Sequence, residues 1–157
     1  MNPFADDPDR AAIWTMLVPR DIAAYVAADW RMVADDFVAD GFIGIDAVKS
    51  PNPDGWRINF PDLDAYRDEW LRQARAGATV AYAEDVEAAI HRATSLRQID
   101  ISGDSAMAHK KFDGAIARAD GSVDVLNWQT LYLCRKVAGI WKLAGFVGYL
   151  PYPMGAA

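Results

Sequence analysis

The fold is decided by residues 105–150, which read SAMAHKKFDGAIARADGSVDVLNWQTLYLCRKVAGIWKLAGFVGYL. Side-chain types alternate along much of this segment, and a period of two residues is typical of β-strands. The dipeptides Asp120-Gly121 and Ala138-Gly139 interrupt the alternation, and Asp-Gly is a strong signal for a hairpin turn. The pattern therefore predicts three long strands joined as antiparallel hairpins, over 105–117, 123–135 and 140–150.

Upstream of these hairpins the pattern predicts one more long strand and one short one. A strand over 88–101 leads through Gly103-Asp104 into the first hairpin. Phe42 to Asp46 is typical of a short strand, and residues 50–55 form a loop with two prolines. Residues 79–87 fit a loop, a helical turn or the beginning of the next strand.

The N-terminal half has helical periodicity instead. Pro8 opens a first helix and Pro19 ends it, and Asp21 is placed to cap the next helix. That second helical segment runs over 21–37, with a candidate break at Asp29-Trp30. A third helix is predicted over 61–75, because its apolar residues recur at helical spacing.

Helices followed by hairpin-linked strands predict an α+β domain, with N-terminal helices on a strongly curved antiparallel sheet. A chain of 157 residues with 52% hydrophobic residues suits one domain with a substantial core. We therefore expect a single domain over 1–157, with flexible ends at 1–7 and 152–157.

Charge and cysteine content argue against several classes of partner. The net charge of −6 disfavours nucleic acid, and the basic pair Lys110-Lys111 is interpreted as a solvated strand face. No apolar stretch reaches the ~18 residues of a membrane span. Cys134 is the only cysteine and is expected to be a buried, inert thiol. Together with an N-terminus that lacks the features of a signal peptide, this predicts a cytoplasmic protein.

One face of the predicted sheet is apolar and aromatic with a few hydroxyl groups, as in pockets for small molecules. Side chains from the helices are expected to complete this lining. The predicted pocket-lining residues are Trp30, Phe112, Ile116, Trp128, Thr130, Tyr132 and Phe146. Plain core packing is the alternative for each of them.

Candidate catalytic side chains are few. His91 lies near the start of the predicted strand and could act as a base if a carboxylate or tyrosine oriented it. Asp46 ends a strand that should point toward the helices, where a carboxylate could act as a base, and the alternative is that it caps the next loop. No metal-binding motif and no phosphate-binding loop occurs, so neither a metal nor a cofactor is expected.

Four local motifs, with the order of elements, make the chain resemble a known superfamily. The motifs are YVAADW at 25–30, Ile45-Asp46, the stretch from His91 through IDISGDSA at 99–106, and GIWKLAG at 139–145. The chain looks like the nuclear transport factor 2-like (NTF2-like) superfamily, in its SnoaL-like and scytalone-dehydratase-like branch. The resemblance covers most of the chain and is more specific for fold than for function.

The resemblance implies a cone-shaped domain with a pocket inside, usually a homodimer, and proton transfer without metal or organic cofactor. Tyr25 matches a helix tyrosine that donates a hydrogen bond to substrate, His91 a strand histidine base, and Asp46 lies near an aspartate base. Val26 departs from the family's catalytic aspartate, and Ile116 from its second strand histidine. Neither family catalytic set is complete in this chain.

Three functions remain open at this point. The first is a cofactor-independent lyase or isomerase acting on a small cyclic or polyketide-like compound through Tyr25, Asp46 and His91. The second is a non-catalytic domain that binds a small apolar or cyclic molecule, and the third is a dimeric scaffold with a filled pocket. A homodimer is expected from the resemblance and from Leu131 and Leu133 on the outer sheet face.

Overall fold

The computed structural model describes residues 1–153 as helices packed on one six-stranded sheet. The helices are α1 (Pro8–Thr15), α2 (Asp21–Ala27), α3 (Leu63–Ala78) and α4 (Val86–Ala93). The strands are β1 (Ile43–Asp46), β2 (Arg57–Phe60), β3 (Thr94–Ser102), β4 (Ser105–Ala117), β5 (Val123–Val137) and β6 (Ile140–Pro151). The α+β class with N-terminal helices on a curved sheet is confirmed. The flexible end expected at 152–157 falls mostly on 154–157, outside the described residues.

The predicted hairpins form as expected. Strands β4 and β5 pair antiparallel along their whole length, from Ser105 opposite Arg135 to Ala117 opposite Val123. Gly121 takes a positive φ of 86° in the turn between them, a conformation that glycine adopts without a Cβ penalty. Strand β6 pairs with the other side of β5, and β3 pairs with the other side of β4 and forms one edge of the sheet.

The sheet is mixed rather than wholly antiparallel. Its order is β2-β1-β6-β5-β4-β3, and β1 runs parallel to β6 with Ile43 opposite Gly145. Sequence periodicity gives the faces of a strand but not the direction in which distant segments pair. Strand β2 was not predicted, because three of its four residues are exposed and it carries no apolar run.

Pro19 does not end the helical part of the chain between α1 and α2, as had been predicted. Pro19 lies inside a π-helical turn, Met16–Arg20, that connects α1 to α2. The missing N–H of proline disrupts the regular i→i−4 ladder, and the wider turn keeps the chain helical across it. Asp21 therefore does not cap α2 but is its first residue, and its carboxylate is free to bond elsewhere.

The helical segment predicted over 21–37 is interrupted near Asp29-Trp30, where a break was expected. Helix α2 ends at Ala28, which has a left-handed φ of 50°, and Asp29 then accepts a hydrogen bond from the N–H of Arg31. Two 3₁₀ turns follow, Trp30–Met32 and Ala34–Asp36. These turns bring the chain to the edge of the sheet, where β1 begins.

The strand predicted over 88–101 begins six residues later than expected, because residues 86–93 form helix α4. Asp85 caps this helix by accepting from the N–H of Ala88 at 2.7 Å. The helix packs tightly on β4, since a Cβ at Gly114 would lie 2.7 Å from the Cβ of Ala93. His91 is consequently a helix residue and not a strand residue.

A cluster of aromatic side chains fills the space between the 3₁₀ turns, α3 and strands β1 and β6. Tyr66 lies at its centre, with its ring 4.9 Å from that of Phe146 and 5.6 Å from that of Phe42. Trp30 stacks on Phe37, with ring centroids 4.8 Å apart, at one side of the cluster.

In the part of the chain that the structure describes, no helix is long and apolar enough to cross a membrane.

The contact between α4 and β4 predicts opposite effects for two glycine substitutions. Gly114→Ala should destabilise the fold by ~1–3 kcal/mol, because the new methyl group overpacks against Ala93. Gly77→Ala is the matched control, since a Cβ there meets nothing within 4 Å, and it should be neutral or stabilising by up to ~1 kcal/mol. Urea denaturation of both variants measures the difference. Equal stabilities would contradict the close packing of α4 on the sheet.

Candidate functional site

A cavity of about 510 Å³ lies between the concave face of the sheet and helices α2, α3 and α4. Most of the residues predicted to line a pocket are on its wall. These are Phe112, Ile116, Trp128, Thr130, Tyr132 and Phe146. Trp30 is not among the lining residues, because its ring is enclosed by Phe37, Tyr66 and Trp70 in the aromatic cluster.

Aromatic rings from three neighbouring strands form one wall of the cavity. The ring of Phe112 on β4 stacks on that of Trp128 on β5, with centroids 4.6 Å apart. The ring of Tyr149 on β6 continues the row at 5.9 Å from Trp128. Such a wall offers a flat, mostly apolar surface, which suits the face of a planar molecule.

The polar end of the cavity contains a buried ion pair. Lys110 Nζ donates to the carbonyl oxygen of Leu17 at 2.5 Å and to Asp21 Oδ2 at 2.8 Å. The side chain of Lys110 is 1% exposed, whereas that of Asp21 retains 31% exposure. Both residues line the cavity, so Asp21 is the member of the pair that a small molecule can reach. The interpretation of Lys110 as a solvated strand residue was wrong.

The side chains of Tyr25, Tyr66 and Tyr132 line the same cavity as this ion pair. Burial raises the pKa of Tyr25 to about 12, and burial also raises the pKa of Tyr66 and of Tyr132 well above its usual value. The negative charge of Asp21 raises the pKa of Tyr132 further. All three phenols are therefore neutral hydrogen-bond donors at physiological pH. Among residues 1–153, neither Tyr25 nor Tyr66 has a hydrogen-bond partner for its hydroxyl group.

The three residues predicted to act together do not share this cavity. Tyr25 lies on its wall. Asp46 lies in a neighbouring groove, where its carboxylate accepts from the N–H of Val48 at 2.7 Å and from Asn59 Nδ2 at 2.9 Å. His91 is in the last turn of α4 and lines neither space.

The groove is an open space of about 800 Å³ between α3 and the edge formed by β1 and β2. It adjoins the cavity, because four residues line both spaces: Phe60, Glu69, Gln73 and Tyr149. Gln73 Nε2 donates to the hydroxyl oxygen of Tyr149 at 3.2 Å. This pair of side chains forms a partition between cavity and groove.

A β-bulge places Tyr149 in the partition. Gln129 pairs with Leu150 and Leu131 with Val147, so Gly148 and Tyr149 together face the single residue Thr130. Tyr149 takes a φ of 54°, which is unusual for a residue with a side chain. Bulges redirect side chains and are frequent beside functional sites. Here the bulge directs the phenol of Tyr149 toward α3.

Cys134 lines neither the cavity nor the groove. Its side chain is buried, and burial raises the pKa of the thiol to about 12. A thiol with this pKa is not a nucleophile at neutral pH. Within residues 1–153, no group of three or more His, Cys, Asp or Glu side chains is arranged to hold a metal ion.

Sequence reasoning missed the ion pair and the partition. One signal for Lys110 was available, since it alternates with Ala108, Phe112 and Gly114 on the face that was predicted to be apolar. Asp21 was predicted only as a helix cap, although it precedes Tyr25 by four residues and so shares its helix face. Nothing in the sequence indicated that Gln73 and Tyr149 would meet.

Comparisons with known proteins support the fold. No protein-family model matches the chain, and no curated protein matches it. An NTF2-like protein of unknown function from Pseudomonas putida KT2440 superposes with a TM-score of 0.59 at 16% identity, covering 99% of this chain and 93% of that one.

Two further solved structures of NTF2-like proteins are similar to this chain in fold. An NTF2-like protein of unknown function from Shewanella baltica OS155 gives a TM-score of 0.55 at 14% identity, with 90% and 92% of the two chains covered. An NTF2-like protein with a cystatin-like fold from Novosphingobium aromaticivorans gives 0.57 at 14% identity, with 96% and 85% covered. The chain therefore has the NTF2-like fold, a fold that encloses a pocket.

Proposed function

We propose that this protein binds a small, mostly apolar ring compound in the cavity. The observation that carries the proposal is the cavity itself, which is lined by an aromatic wall and has one concentrated polar end. Its volume of about 510 Å³ lies within the ~300–1,000 Å³ that is usual for small-molecule sites. Protein interiors are otherwise close-packed, so an unfilled space of this size is costly unless it is used.

The two ends of the cavity select for different parts of the ligand. Phe112 and Trp128 offer their faces to an apolar ring. Tyr25 and Tyr132 offer neutral donors to an oxygen atom of the ligand, and Asp21 offers an acceptor to a hydroxyl group. A neutral phenol or cyclic ketone meets both requirements without placing an unpaired charge in the cavity.

Binding of 1-naphthol tests the proposal. Ala78 lines the cavity from α3, and Ala78→Trp should weaken binding about tenfold because the indole occupies part of the cavity, which corresponds to ~1.4 kcal/mol. Ala76→Trp is the matched control, because Ala76 is exposed on the same helix and lines neither cavity nor groove. Isothermal titration calorimetry measures both variants. If the wild-type protein does not bind 1-naphthol, the proposal is wrong.

A second candidate function is a cofactor-independent lyase or isomerase that transfers a proton within this cavity. The observation that favours it is the reachable carboxylate of Asp21, which binds Lys110 and lines the same cavity as Tyr25 and Tyr132. A carboxylate in this position could take a proton from carbon, while Tyr25 or Tyr132 donates to the oxygen that becomes negative. The base would then be Asp21 and not Asp46 or His91.

The compound 5-nitrobenzisoxazole tests this chemistry without knowledge of the natural substrate. The base removes the proton on C3, the C–H electron pair completes a nitrile, and the N–O bond breaks to leave a phenolate. Asp21→Asn should lower the rate by about 100-fold or more, because general-base catalysis typically contributes that much. Asp46→Asn and His91→Gln should leave it unchanged. Equal rates in all three variants would leave binding as the function.

We also propose that the protein forms a homodimer through the outer face of its sheet. Leu133 is 50% exposed and Ile43 is 42% exposed, although both are apolar. The strand registers place them in one patch with four other apolar side chains, which are Ile45, Met107, Leu131 and Val147. Contiguous exposed apolar surface of this kind is typical of an interaction site.

A charge in the patch should separate the subunits. Leu133→Arg should convert a dimer into a monomer at micromolar concentration, since the dimer would have to bury an unpaired guanidinium group. Val123→Arg is the control, because Val123 is 56% exposed but lies at the far end of β5, outside the patch. Size-exclusion chromatography with light scattering gives the mass. A monomeric wild-type protein would overturn this proposal.

A further inference from the structure

We propose that the cavity and the groove are two compartments of one binding site. The ligand would be a planar ring compound with an uncharged, hydroxyl-rich extension, the ring in the cavity and the extension in the groove. This inference rests on the proposed binding function of the cavity. It adds the shape and chemical class of the ligand, and it assigns a role to the groove and to the partition.

The partition is a weak barrier. The hydrogen bonds between its two side chains, Gln73 and Tyr149, are long, at 3.2 Å and 3.4 Å. Gln73 is anchored on its own helix, since its Nε2 also donates to Glu69 Oε1 at 2.7 Å, so the weak contact of the partition is the one to Tyr149. Typical bonds to a hydroxyl oxygen are about 2.7–3.0 Å. Tyr149 also has a left-handed backbone conformation, which is unfavourable for a residue with a side chain, and strain of this kind is concentrated at functional sites. A rotation of the Tyr149 side chain would break only these long bonds and would join the two spaces.

The side chain of Tyr149 lines both the cavity and the groove. Burial raises the pKa of Tyr149, so its phenol is neutral and no ionic bond holds it in place. Its ring also ends the aromatic row, 5.9 Å from Trp128, and has a neighbour in that row on one side only. The phenol could therefore swing toward the groove and still offer its hydroxyl group to a ligand.

Electrostatics of the groove favour an uncharged extension. Two of its carboxylates are neutralised by neighbouring guanidinium groups: Glu69 binds Arg72 through two bonds of 2.7 Å, and Asp68 binds Arg67 at 3.0 Å. Lys49 Nζ donates to Asn127 at 2.9 Å. The two other charged lining residues, Lys49 and Asp46, are opposite in sign, and Asp46 bonds to the amide of Asn59 at 2.9 Å, so the groove presents no concentrated charge of one sign to an ionic ligand group.

Hydrogen-bonding capacity remains for neutral hydroxyl groups. The carboxylate oxygens of Asp46 and Asp68 and the amide of Asn59 are exposed or half-exposed along the groove. A hydroxyl group can donate to one neighbour and accept from the next, so a chain of hydroxyl groups matches this mixed lining. Gln73 and Tyr149 would bond to the atoms that connect ring and extension.

The test compares 1-naphthol with 1-naphthyl β-D-glucoside, which shares the ring and adds an uncharged hydroxylated extension. Ala65 lines the groove but not the cavity, and Ala65→Trp should weaken binding of the glucoside about tenfold while leaving 1-naphthol within about twofold. Ala78→Trp should weaken both compounds. Asn59→Leu is a second groove variant at an exposed position, and it should also affect the glucoside alone.

The outcomes separate the two proposals. If neither compound binds the wild-type protein, the proposed binding function fails and this inference fails with it. If 1-naphthol binds but the glucoside does not, or if the glucoside binds equally well to wild type, Ala65→Trp and Asn59→Leu, the two-compartment site is overturned and the cavity function stands. Selective weakening of the glucoside by both groove variants supports the inference.

Discussion

Lys110 extends from the middle of the sheet into the layer of helices, and its ammonium group is almost completely enclosed. A buried charge of this kind costs several kcal/mol unless acceptors surround it. The acceptors come from the helix layer, as the carbonyl oxygen of Leu17 and the carboxylate of Asp21. The requirement to satisfy Lys110 therefore sets where the first two helices lie over the sheet. It also creates the polar end of the cavity.

The cavity remains open because the helices contact the sheet firmly at the two sides of the hollow. On one side Ala93 of α4 rests directly on Gly114, where no side chain intervenes. On the other side Tyr66 and its aromatic neighbours hold α3 against β1 and β6. Between these contacts the strands curve away from the helices. The large rings of Phe112 and Trp128 line the hollow without filling it.

Tyr149 shows how a local irregularity shapes this space. A regular strand would have placed residue 149 on the opposite face of the sheet from Gly148, with its side chain pointing away from α3. The extra residue of the bulge redirects it toward Gln73, and one side chain thereby contacts the cavity and the groove. The same bulge gives Tyr149 its left-handed backbone conformation.

Much of the architecture could be predicted from the sequence, because the strands of a hairpin are recognisable from residues that are close together in the chain. Alternation of side chains and the turn at Asp120-Gly121 are properties of adjacent residues, and they predicted β4 and β5 to within two residues at each end. Helix α4 was missed because eight residues with a capping aspartate contain too little periodicity to outweigh the strand that follows. His91 was misplaced for the same reason.

The sequence by itself determined the α+β class, the hairpin core and the residues that share the concave face. Only the tertiary structure decided that Lys110 meets Asp21, that Asp46 lies in a separate groove, and that Tyr149 stands between two spaces. The physical reason is the separation along the chain between the residues that interact. Strand faces and turns depend on neighbours in sequence, whereas Lys110 and Asp21 are 89 residues apart and Gln73 and Tyr149 are 76 apart. Contacts over such separations exist only once the whole chain has packed.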